Sequence, residues 1–255
     1  MRIIYIDIDT LRADHLGCSG YHRNTSPNID NVASEGINFR NVYASDVPCL
    51  PSRTALITGM FGIRNGVINH GGRAADLQPE GKDRGFFGRF SMRSWASVFY
   101  LAGWHTASIS SFPFRHGASW WNSGFMESMN LMRGFGGERA DQVVPGALDW
   151  LERRGKADDW FLHVHLWDPH TPYRTPEDYG NPFESDPIPS WHTEDVRMVN
   201  WDLSGPHSAQ EPWGFRPDEW GKPPPRQPWN ASSMDAVKQI FDGYDVGIRY
   251  ADDAV

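Results

Sequence analysis

Residues 3–8 read Ile-Ile-Tyr-Ile-Asp-Ile, an almost unbroken apolar and β-branched run. Such a run predicts a buried strand at the centre of a sheet, with a polar tip. Ser26-Pro27 offers a helix start and Gly36 a stop, predicting a helix over 27–35. Ile37–Tyr43 reads as a second strand. Pro51 suits the first position of another helix, which Gly59 closes. A helix near 94–102 ends at Gly103, a strand follows at Thr106–Ser110, and residues 140–154 are helical in pattern. Trp160–Leu166 is a further apolar strand, and helix resumes near Met234 and runs into Ala251. Strands alternating with helices predict an α/β fold with a mostly parallel central sheet flanked by helices. Ligands of such sheets gather beyond the carboxyl ends of the strands, where Asp9 and Asp168 fall.

Residues 169–230 have a different texture. Thirteen of the nineteen prolines lie there, with five tryptophans between 191 and 229. Pro223-Pro224-Pro225 excludes helix interior and central strand. The segment is expected to be a long irregular excursion on the surface of the fold, ordered by its tryptophans. A loop of that length is usually functional or disordered, and a lid or wall over a site is one use for it.

Composition narrows the function classes. Twenty-four basic against 32 acidic residues give a net charge of −8, which argues against a general nucleic-acid binder. A small anionic substrate remains compatible, because a few convergent Arg and His side chains reverse the local field. Twelve tryptophans fit either a deep binding cleft or a packed core. No apolar run approaches the roughly 18–20 residues of a membrane span. No charged leader with an apolar stretch and a cleavage site precedes the first strand, so a soluble, cytoplasmic protein without membrane partners is expected. Two cysteines, Cys18 and Cys49, do not make a disulfide framework.

Cys49-Leu50-Pro51-Ser52-Arg53 carries the strongest chemical signal. Cys49 lies just before a predicted helix, where backbone N–H groups and the positive dipole end face an anion and acidify a thiol. Arg53, one helical turn on, reaches the same space. The other reading of the same residues is a buried structural cysteine beside a routine helix start.

Cys-x-Pro-Ser-Arg resembles the signature of the formylglycine-dependent sulfatases. The blocks around it are similar in order: Asp9-Thr10-Leu11-Arg12-Ala13-Asp14-His15-Leu16-Gly17-Cys18, then Ser26-Pro27-Asn28-Ile29-Asp30 and Gly36-Ile37-Asn38-Phe39, then Thr54-Ala55-Leu56-Ile57-Thr58-Gly59. The likeness resumes at 160–176 and near 234–255. It implies an alkaline-phosphatase-like sheet, with residues 1–255 the amino-terminal part of one catalytic domain. The implied activity is sulfate-ester hydrolysis. A formylglycine-generating enzyme would oxidise Cys49, and the hydrated aldehyde would attack sulfur and then expel sulfate through its second hydroxyl. The implied cofactor is a divalent cation, Ca²⁺ by resemblance with Mg²⁺ or Mn²⁺ as alternatives, held by Asp9 and residue 49. Asp7, on the same strand face as Asp9, is read as a supporting acid or a further ligand. Arg53 and His170, the latter within Asp168-Pro169-His170-Thr171-Pro172, inherit catalytic roles, and a small sulfated molecule is the implied substrate.

Two departures stand out. Many sulfatases carry Gly-Lys-x-His after the strand at 106–110, whereas this chain has Ser110-Ser111-Phe112-Pro113-Phe114-Arg115-His116. Arg115 and His116 offer substrate-binding charge a few residues later, or are a surface basic pair. The family's second metal block would follow the helix on which this chain ends, so the chain is expected to be truncated at its carboxyl end and inactive by itself. A phosphonate monoester or phosphodiester hydrolase of the same superfamily is the nearest alternative function, and a non-catalytic ligand-binding fragment is the other.

Overall fold

The computed structural model describes residues 1–78, 94–131, 137–205, 207–213 and 225–255. Four strands, β1 (Arg2–Ile8), β2 (His105–Ile109), β3 (Glu127–Met129) and β4 (Trp160–Leu166), form one sheet in the order β1-β4-β2-β3. β2 runs parallel to both β3 and β4, with Ala107 opposite Glu127 on one side and Leu162 on the other. The Trp160 N–H donates to the Met1 carbonyl where β1 and β4 both begin, so these two also run in the same direction. The helices are α1 (Pro27–Glu35), α2 (Cys49–Thr58), α3 (Gly62–Asn65), α4 (Trp95–Leu101), α5 (Phe112–Arg115), α6 (Ala140–Arg154), α7 (Glu194–Trp201) and α8 (Met234–Asp252). None is long and apolar enough to cross a membrane among the described residues.

Contacts divide the chain into two units, Met1–Asp7 with Phe39–Leu166, and Ile8–Asn38 with Trp167–Val255. The first unit holds the sheet. Its core is aromatic: Trp121, Trp150, Phe112 and Phe161 are buried, and Trp150 meets Trp160 edge to face at 5.4 Å. Every residue of β4 is buried, as its continuous apolar run predicts.

β1 departs from expectation. Among the described residues it lies at the edge of the sheet, and burial alternates along it, with Ile4 48% and Ile6 40% exposed. An apolar run reports strand propensity, but burial on both faces depends on the layers that cover it. Ile37–Tyr43 is not a strand. Ile37, Phe39, Val42 and Tyr43 are all exposed, and no described strand pairs with them. β-branched and aromatic residues make a strand only where a ladder partner exists. A smaller correction concerns α2, which begins at Cys49 itself, with Pro48 at the N-cap position and no side-chain cap, and not at Pro51. Its end is as read: Gly59 adopts φ +64° and its N–H closes on the Ala55 carbonyl.

The second unit is organised by α8. Asp242, Asp245 and Asp252 are all buried at spacings that keep them on neighbouring faces of the helix. Asp245 accepts from Tyr21 at 2.7 Å and Arg23 at 2.9 Å, and lies 2.6 Å from His15 Nδ1. Asp252 accepts from the Asn28 and Ile29 N–H groups at 2.9 and 2.7 Å, which caps the open amino end of α1 with a remote carboxylate. Arg23 also meets Asp242 at 2.9 Å and spans to the Pro187 carbonyl, so one buried guanidinium ties three segments.

Much of 169–230 is irregular, as its prolines require, but it includes a 3-10 turn at Glu177–Tyr179 and α7. Trp213 packs on Trp229 with ring centroids 5.2 Å apart. Pro206 and residues 214–224, with Trp220 and most of the proline triplet, lie outside the described residues.

Gly243 shows how tightly α8 is embedded. A Cβ there would sit 2.1 Å from the Arg226 carbonyl oxygen and 2.7 Å from the Tyr173 ring. Helix propensity alone predicts that Gly243→Ala stabilises by about 1 kcal/mol. Overpacking of about 1–3 kcal/mol opposes it. The expected outcome in urea unfolding is therefore net destabilisation, and a raised midpoint would show that the helix is not packed this closely.

Candidate active site

The sequence signature builds its site from the first turn of α2. Cys49 is the first helical residue, so its side chain stands at the amino end, where unsatisfied N–H groups and the dipole favour negative charge. Its Sγ lies 3.1 Å from His70 Nε2. The Leu50 N–H also points to that nitrogen, at 3.4 Å. An N–H only donates, so His70 Nε2 bears the lone pair. His116, directly after α5, joins them: one ligand atom each from Cys49, His70 and His116 lies within 4.8 Å of the others. Phe112 packs on the His116 ring at 4.4 Å. Arg115 is exposed at the last position of α5.

Arg53 turns inward from the same helix. Its Nε and Nη2 donate to the two oxygens of Asp7 at 2.6 and 2.9 Å, a bidentate pair near the end of β1. The guanidinium also lies over Phe112, 4.9 Å from the ring centre. Behind Asp7 stand His163 and His165, both buried on one face of β4. His163 Nε2 is 4.0 Å from Asp7, and its Nδ1 is 2.9 Å from Ser108 Oγ. Burial alone would raise the Asp7 pKa. His163 and Arg53 oppose it, and the balance holds the carboxyl well below the usual carboxylate range. Burial lowers His163 despite Asp7, so this imidazole is neutral near pH 7.

The strand-end acids belong to the second unit. Asp9, directly after β1, and Asp168, shortly after β4, are both almost fully buried. A carboxylate so placed stays charged only when paired, hydrogen-bonded or coordinated, and it is the donor a hard cation takes. His170 packs edge-on to Trp167 and donates from Nδ1 to the Thr171 carbonyl, which makes Nε2 the lone-pair nitrogen of the neutral ring. The residues after Asp9 are anchored to α8: Tyr244 donates to the Thr10 carbonyl at 2.6 Å and accepts from the Arg12 N–H at 2.9 Å. Arg12, His15, Tyr173, Trp191, Phe241 and Tyr244 line a cavity of about 220 Å³ there.

Sequence reasoning singled out Cys49, Arg53 and His116, and Cys49 and His116 come together. Arg53 goes to Asp7, a pairing that the supporting-acid reading of Asp7 expects. His70 was missed. It sits in a loop 21 residues beyond Cys49, and nothing in Asn69-His70-Gly71-Gly72 has a periodic or motif signature that marks it.

The sulfatase family profile matches residues 2–255, and the chain belongs to that family. It is 26% identical over 204 residues to an uncharacterized sulfatase of Escherichia coli, YidJ, covering 69% of this chain and 40% of that protein. An arylsulfatase of Clostridium perfringens is 23% identical over 238 residues, covering 73% and 47%. The chain thus spans about half the length of these relatives or less. Among solved structures, a protein in complex with its substrate D-glucosamine-2-N,6-O-disulfate superposes with TM-score 0.68 at 18% identity, covering 99% of this chain and 60% of that one. The phosphonate monoester hydrolase of Agrobacterium radiobacter does so with TM-score 0.66 at 15% identity, covering 99% and 57%. At these identities the likeness shows the fold alone, an α/β fold with a parallel sheet flanked by helices as the sequence predicts.

The Asp7–Arg53 pair has a definite pH signature. Asp7→Asn leaves a buried guanidinium without its carboxylate, and a loss of about 3–5 kcal/mol is expected at pH 7. Adding Arg53→Met should recover part of it. Because the folded Asp7 pKa is depressed, its contribution is complete above the unfolded value of about 3.9 and fades as pH falls toward the folded value. Urea unfolding of wild type and Asp7→Asn should therefore differ by a constant amount from about pH 5 to 8 and converge in stronger acid. A difference that widens on acidification would contradict the assignment.

Proposed function

We propose that the protein is a sulfate-ester hydrolase whose nucleophile arises at Cys49 by conversion to formylglycine. The observation that carries this reading is a Cys-x-Pro-Ser-Arg cysteine standing at a helix amino terminus beside two histidines, in a chain of the sulfatase family. The hydrated aldehyde would supply an oxygen nucleophile, and a divalent cation, Ca²⁺ in our reading, would lower the pKa of that oxygen. Asp9 is the ligand this chain offers such a cation, a buried carboxylate of the hard-oxygen type.

The remaining roles belong to the chain's own side chains. The amino end of α2 favours the negative charge of a sulfate group. His116 and His70 would contact its oxygens. Arg53, engaged with Asp7, positions the helix that carries residue 49. His170, with Nε2 as its second nitrogen, would bind sulfate or, when protonated, donate to the leaving oxygen. The solved relative's disulfated glucosamine supports a small sulfated substrate, and the aromatic cavity near Arg12 suits a ring.

Matured in a host that contains a formylglycine-generating enzyme, the protein should lose the Cys49 thiol, read by peptide mass and by hydrazide labelling. In the full-length protein, Cys49→Ala should abolish sulfate-ester turnover without unfolding, and Cys18→Ala should leave it intact. His170→Ala should lower kcat/KM by about 10²–10⁴ with little loss of metal. Asp9→Ala should lose metal and activity together. Turnover of phosphonate monoesters with none of sulfate esters would replace this reading with that of the phosphonate hydrolases. A folded protein with unmodified Cys49 from such a host would remove the nucleophile.

A further inference from the structure

The grouping of Cys49, His70 and His116 has a chemistry of its own before any modification of the thiol. We propose that the unmodified chain binds a zinc-type transition-metal ion through Cys49 Sγ and one imidazole nitrogen each of His70 and His116.

Three features support the site. The donors come from separate segments of one structural unit: the first turn of α2, the loop after α3, and the residue that follows α5. They are already gathered, with Sγ and Nε2 3.1 Å apart, the two imidazole centres 5.0 Å apart, and all three ligand atoms within 4.8 Å. Zinc bonds of roughly 2.3 Å to sulfur and 2.0–2.1 Å to nitrogen set ligand atoms roughly 3.3–3.6 Å apart around a tetrahedral ion, so wider pairs in this triangle close by up to about 1.5 Å on binding. The Leu50 N–H fixes Nε2 as the lone-pair atom of His70, on the side that faces the thiol.

The donor set also selects its metal. One thiolate and two imidazoles favour zinc, cobalt or copper, whereas Ca²⁺ takes oxygen ligands. Binding releases the thiol proton to water and leaves one negative ligand, so the bound dication keeps a net positive charge. Cys49 and His116 are half-buried and His70 is exposed, which leaves an entry path and a fourth position for water or an anion. The site rests on the geometry of the thiol form and not on the sulfatase reading, which concerns the matured residue.

The test uses the whole protein expressed without a formylglycine-generating enzyme, stripped with chelator and kept reduced. Titration with Co²⁺ should give a near-ultraviolet thiolate-to-cobalt charge-transfer band that saturates at one ion per chain. Zn²⁺ should displace it, and excess Ca²⁺ should not. Cys49→Ala should abolish the band and Cys18→Ala should retain it. His70→Ala and His116→Ala should each weaken Co²⁺ binding by at least about 10-fold, the lower end of what even outer-shell changes cost a metal site. His70→Gln and His116→Gln serve as near-isosteric variants where an alanine variant does not fold. A band that survives Cys49→Ala, the absence of any band, or histidine variants that bind as wild type does would overturn the proposal. Sulfatase activity of matured protein is measured separately, so the two readings fail independently.

Discussion

The Asp7–Arg53 pair is the constraint from which the rest of the first unit's site follows. A guanidinium on the second turn of α2 reaches the last residues of β1 through two parallel hydrogen bonds, in a space walled by Phe112 and His163. A bidentate pair has one geometry, so it sets both the distance and the rotation of α2 against the sheet. Cys49 is one turn back on that helix, and its direction is decided by the same contact. Burial makes the constraint stringent, since neither charge is tolerated without the other. Burial opposes protonation of His163, although the neighbouring Asp7 carboxylate favours it.

The second unit solves the same problem with acids on α8. Asp245 gathers His15, Tyr21 and Arg23, and Asp252 caps α1, so the segment that continues from Asp9 is held at several points along its length. Tyr244 adds a direct hold on Thr10 and Arg12. The small cavity lined by Tyr173, Trp191 and Tyr244 results from the same packing of aromatic side chains around the anchored segment.

Cys49 stands between two chemistries. At a helix amino end, beside lone-pair nitrogens, a thiol is a ligand for soft metals. Oxidised to an aldehyde it becomes an electrophile that adds water and no longer offers sulfur. Under the two proposals, calcium-type and zinc-type chemistry at this position would be separated by donor hardness, and modification of one residue would change which ion is preferred.

The sequence by itself determined β1, β2 and β4 with α1, α2, α4, α6 and α8 in order, the parallel character of the sheet, the boundaries of α6 and β4 and the place of Cys49 at a helix start, but not β3, α3, α5 or α7. These depend on local pattern: hydrophobic period, glycine and proline punctuation, and a contiguous motif. It misjudged β1 as central and Ile37–Tyr43 as a strand, because burial and pairing belong to neighbours that the local pattern does not contain. Only the tertiary structure decided that Arg53 is bound to Asp7, 46 residues away, that His70 joins Cys49 from 21 residues on, and that Asp245 closes on His15 from 230 residues on. No periodicity links residues so far apart in the chain. What brings them together is the requirement that buried charges and imidazoles find partners once the sheet and helices have packed.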